Sequence, residues 1–172
     1  MHLSQGVFMV KKLTLASALF ASSVFGVGLG NFQITPEFGG NISWQDTTDT
    51  TFTYGGYTRL WLGVSRVVIA PQVKYDVMKQ KNSGNYANLQ VGGLLGFEVP
   101  VLPLTIYAGG SWSRFFSVGL EDTAAVNYGI KMDVPFIPFL TIGVDGVWQA
   151  PKMADGKRYN MNRVGLTLGL AF

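Results

Sequence analysis

The chain has no cysteine and a single histidine, His2, which stands ahead of the first apolar run. A disulfide framework is therefore excluded. Ser/His/Asp catalysis, histidine proton transfer and zinc or iron ligation lack their usual side chains. Charge is also scarce. Asp, Glu, Lys and Arg make up 13% of the residues, roughly half the share of an ordinary soluble domain. Long apolar runs are nearly missing. The one present, Leu13 to Leu29, is broken by Ser, Thr and Gly, and no second segment approaches the roughly 20 apolar residues of a membrane helix. A low-charge chain without a helical span can still satisfy its backbone in lipid by closing strands into a barrel.

The N-terminal run has the layout of a secretory signal peptide. Lys11 and Lys12 are the charged part, Leu13–Phe25 the apolar part, and small residues around Val24-Phe25-Gly26 suit cleavage. The expected domains are a signal peptide at 1–26 and a barrel at 27–172. Met9-Val-Lys-Lys is a more natural start than Met1, which would make residues 1–8 an upstream extension. Losing Lys11 and Lys12 lowers the formal charge from +3 to about +1. With no basic run or stacking array, nucleic acid is not an expected partner.

What the chain does contain is alternation. In 163–172, Val164, Leu166, Leu168, Leu170 and Phe172 share one parity, and Arg163, Gly165, Thr167, Gly169 and Ala171 the other. In a strand these sets face opposite sides. The pattern predicts seven earlier strands at Phe32–Trp44, Thr53–Val64, Val67–Met78, Ala87–Val99, Leu104–Arg114, Ala124–Val134 and Leu140–Gln149. The charges Glu37, Arg59, Lys74, Asp76, Glu98, Lys131, Asp133, Asp145 and Arg163 all have the parity of the polar face, and Arg114 alone, near a strand end, has the other. A water-facing outer wall would reverse this. A basic residue at the lipid midplane costs roughly 2–4 kcal/mol, so the apolar face is expected to meet lipid.

Polar connections at 45–52, 79–86, 115–123 and 150–160 alternate with short ones at Ser65-Arg66, Pro100–Pro103 and Pro135–Pro138. Pro36 and Pro71 interrupt strands and are expected at strand ends or bulges, because a closed barrel has no free edge. Trp44, Tyr54, Trp112 and Trp148 fall outward near one end, as interface aromatics do. Glu37, Arg59, Lys74, Asp76, Lys131, Asp145 and Arg163 form a candidate lumen charge network, structural in role because unpaired buried charge is costly. Loop acids lack the spacing of a calcium loop, and no cofactor is expected.

Taken together, the alternation, the eight strands, the loop asymmetry and Phe172 resemble the small eight-stranded outer-membrane barrels of the OmpA/OmpX-like and opacity type. The fold class expected is all-β, an eight-stranded antiparallel up-and-down transmembrane barrel. The resemblance implies a bacterial outer-membrane location, surroundings of outer-membrane lipid and lipopolysaccharide, and delivery by the barrel-assembly machinery, with Phe172 as assembly signal. It further implies a non-enzymatic role in envelope integrity or adhesion through surface loops. A small channel for ions or solutes is the alternative. Lys79, Lys81, Lys157 and Arg158 are candidate contacts for lipopolysaccharide phosphates.

Overall fold

The alternation closes on itself. The computed structural model describes residues 32–46, 50–80, 84–116 and 119–172, so the expected signal peptide and Lys81 lie outside it. Eight strands follow in order: β1 (Phe32–Gln45), β2 (Thr50–Val64), β3 (Val67–Gln80), β4 (Gly84–Glu98), β5 (Leu104–Phe116), β6 (Thr123–Asp133), β7 (Leu140–Gln149) and β8 (Met161–Ala171). Each pairs antiparallel with its neighbour, and β1 pairs with β8 from Glu37–Ala171 to Gln45–Arg163, which closes the barrel.

Period two sets the two walls. Along β8, Arg163, Gly165, Thr167 and Gly169 are buried and Val164, Leu166, Leu168 and Leu170 exposed. The same holds around the ring. The buried set contains more polar and charged side chains than apolar ones, while Leu, Ile, Val, Phe and Trp cover the outside. Soluble proteins rarely expose apolar patches beyond a few hundred Å². An apolar belt around a polar interior is stable only with hydrocarbon outside.

Two expectations change. The strands beside the first two polar connections run further than predicted. β2 and β3 pair as far as Thr50–Gln80, and β3 and β4 as far as Gln80–Gly84, so the connections shrink to 46–49 and 81–83. The other two span 117–122 and 150–160, and the opposite-end turns 65–66, 99–103 and 134–139. The length asymmetry therefore rests mainly on the β7–β8 loop.

The second change is Pro71, which sits neither at a strand end nor at a bulge. It pairs continuously with Gly93 of β4. On the β2 side the rungs at Leu60 and Trp61 are missing, yet the register is the same at Arg59–Gln72 and Leu62–Ile69. The absent proline donor interrupts the ladder without displacing it. Pro36 likewise lies inside β1 and pairs with Leu60 of β2; only the β8 ladder ends beside it, where its carbonyl accepts from the Phe172 N–H at 2.9 Å.

The β2–β3 turn has two residues, and its first, Ser65, has φ 59°. Glycine is preferred there. Ser65→Gly is expected to stabilise the barrel by about 1 kcal/mol, seen as a higher urea midpoint for refolding in vesicles; a lower midpoint would contradict this.

Candidate functional site

The lumen carries the chemistry, and side chains fill it in layers. At its centre Asp145 of β7 accepts from Arg59 of β2 at 2.7 Å and from Lys74 of β3 at 3.3 Å, and the Tyr107 hydroxyl donates to it as well. The Arg59 guanidinium lies 4.3 Å from the Tyr57 ring centroid and 5.0 Å from that of Tyr107. Glycines make the room. A Cβ on Gly39 would stand 2.5 Å from Tyr57, and one on Gly129 would stand 2.6 Å from the Tyr107 hydroxyl.

Toward the long-loop end, Arg163 donates to Asp76 at 3.0 Å and to Asn88 at 3.1 Å, and Asn41 donates to the other Asp76 oxygen at 2.8 Å. A chain of uncharged polar groups continues across the barrel. Asn88 donates to Ser113, Ser113 to Gln149, Gln90 to Asn88, and Asn127 to Gln90, each at 2.6–2.9 Å. Above them Met78, Tyr86, Phe115 and Met161 close the lumen, with Leu120 and Tyr159 packed on top. This apolar seal escaped the sequence reading, although all four residues have inward parity near the ends of their strands.

Toward the short turns, Glu37 accepts from Tyr57 at 2.9 Å, Trp61 Nε1 at 2.5 Å and Thr141 at 3.1 Å. It forms no ion pair among the described residues. Trp61 packs edge-on against Tyr107 and clusters with Val68, Ala70 and Leu94. Below lies a cavity of about 230 Å³ that includes Gln33, Glu98, Lys131 and Asp133 in its lining. Lys131 pairs with Asp133 at 3.2 Å, and its ammonium is 5.2 Å from the Trp61 ring centroid.

The seven candidate lumen charges thus separate into four groups. Arg59, Lys74 and Asp145 form one, Asp76 and Arg163 a second, Glu37 stands among neutral donors, and Lys131 sits at the mouth. Trp44, Tyr54, Trp112 and Trp148 are exposed on the outer wall toward the loop ends. Lys79, Lys157 and Arg158 are exposed too but do not form one patch. The end of β3 and the β7–β8 loop lie on opposite sides of the eight-strand ring. Phe172 stacks on Phe139 with centroids 5.4 Å apart.

Solved structures share this fold. A de novo designed transmembrane β-barrel aligns over 81% of this chain and 95% of its own, with 14% identity and a TM-score of 0.53. The fold is that of a transmembrane β-barrel. The N-terminal β-barrel domain of Pseudomonas aeruginosa OprF aligns with this barrel over 82% of the chain and 99% of its own, at 12% identity and a TM-score of 0.53. The barrel's sequence matches no protein-family model and no curated protein.

Proposed function

We propose that the chain is a bacterial outer-membrane barrel with a structural, non-enzymatic role in the envelope, and that its lumen is a plug, neither a path nor an active site. The observation that carries this is the sequence of filled layers. An apolar seal lies over a hydrogen-bonded polar layer, then the Arg59–Asp145–Lys74 centre, then the Glu37–Trp61 layer. Eight strands enclose a space that side chains can just fill, and the inward glycines let the largest of them cross it. Residues 1–26 fit as the export leader and Phe172 as the residue read during assembly.

Planar-bilayer recording tests the plug. The refolded protein is expected to give no reproducible single-channel steps. Steady steps would overturn the proposal in favour of a channel.

With two of the connections at the loop end reduced to 46–49 and 81–83, the surface face is set mainly by the β7–β8 loop. The two exposed basic sites on opposite sides of the ring fit two separate phosphate contacts in surrounding lipopolysaccharide. Neutralising Lys79 and Lys81, or Lys157 and Arg158, is expected to weaken lipopolysaccharide binding by about 1 kcal/mol per charge. The two effects should add, and both should shrink at high salt. Unchanged affinity in both variants would dismiss the contacts.

A further inference from the structure

The rim at the short-turn end is uneven. The β2–β3 turn is polar, Ser65-Arg66, whereas the β4–β5 and β6–β7 turns are Val99-Pro-Val-Leu-Pro103 and Val134-Pro-Phe-Ile-Pro-Phe139, with no charged or hydroxyl side chain. Their tips are bare. Val101 is 102% exposed and Phe136 93%, and Leu102 and Ile137 are exposed beside them.

Backbone chemistry suits these tips to a dry setting. Each turn holds two prolines, which leave no N–H to satisfy. Val99 donates to Leu104 and Leu102 to Val99, while Val134 donates to Leu140 and Ile137 to Val134. Four of the seven remaining donors, those of Val99, Leu102, Val134 and Ile137, are therefore paired within their turns, which lowers the cost of entering the membrane interface. Val101 and Phe139 hold φ values of 70° and 68°. Such conformations are costly for residues with a Cβ, and they persist where the surroundings over-determine them.

The tips also continue an existing surface. Outward Phe97 and Ile106 lead to the first turn, and Ile130 and Ile142 to the second, with no charged residue exposed between them and the tips except Asp133 and Glu98 at the lumen rim. We propose that the two turns are a lipid-docking surface that sinks the β4–β7 side of the rim into the membrane interface, while the Ser65-Arg66 side stays in water. This rests on the membrane-barrel reading and adds a tilt to it.

The absence of native cysteine makes the test direct. Single cysteines at Val101, Phe136, Arg66 and Leu166 would carry a nitroxide in protein refolded into phosphatidylcholine vesicles. Collision with oxygen and with a water-soluble nickel chelate would then be measured. The labels at 101 and 136 are expected to meet nickel several-fold less often than the label at 66. Equal nickel access at 66, 101 and 136, with 166 shielded, would overturn the docking surface and leave these turns free for a water-soluble partner. Nickel access at 166 as well would overturn the barrel reading itself. Labels at Leu102 and Ile137 replace either tip position that prevents refolding.

Discussion

Asp145→Ala is expected to destabilise the barrel by about 3–5 kcal/mol, the cost of removing one partner from a buried ion pair. The reason lies in what remains. Arg59 and Lys74 are both buried and both direct their charge at one Asp145 oxygen, with Tyr107 donating to the other. Without the carboxylate two buried cations face each other with no counter-charge between them. Asp133→Asn is the contrast, because the Asp133 side chain of the Lys131 pair is 57% exposed. Its loss is expected to cost at most about 1 kcal/mol. Urea titration of refolding in vesicles would read both, as shifts in midpoint at constant slope. Replacing Arg59, Lys74 and Asp145 together by apolar residues of similar volume should restore much of the stability, since the pairing contributes less than its disruption costs. A midpoint for Asp145→Ala within about 1 kcal/mol of the native one would mean that the centre is hydrated, and the plug would fail with it.

Parity makes the walls of this molecule legible in the sequence alone. Arg59, Asp76, Asp145 and Arg163 could be placed inside because a strand alternates, and no wider information was needed. Partner choice was not readable. Arg59 meets Asp145 across β1 and β8, and Arg163 meets Asp76 from 87 positions away, pairings that depend on barrel closure and strand stagger. Glu37 shows the limit most clearly. Its charge suggested an ionic partner, but Tyr57, Trp61 and Thr141 supply neutral donors instead. Loop length is illegible for a related reason. Thr50 and Gln80 look like loop residues by composition, yet they pair at the end of the β2–β3 hairpin, beyond a one-residue register shift between Thr50 and Phe52. The Met78–Met161 seal is hidden because Tyr86, Phe115 and Met161 lie just beyond the strand ends expected from composition.

Leu166→Arg tests the outer wall as Asp145→Ala tests the inner one. Leu166 is 52% exposed near the middle of β8 and lies between Ile42 and Val144 on the adjacent strands. No charged side chain stands beside it on that face. In a bilayer the substitution is expected to cost about 2–4 kcal/mol, because the guanidinium must enter hydrocarbon or drag water to it. Phe116→Arg, at the loop end of β5, is expected to cost about 0–1 kcal/mol. The native chain already tolerates Arg114 two residues away on the same face, where its guanidinium lies 5.6 Å from the Phe116 ring centroid. The ratio of the two costs, measured in the same vesicles, separates a membrane barrel from a soluble one. In water both arginines would be solvated and both costs small. A neutral or stabilising Leu166→Arg would place that wall in water, and the apolar belt would then have to be covered by protein instead of lipid.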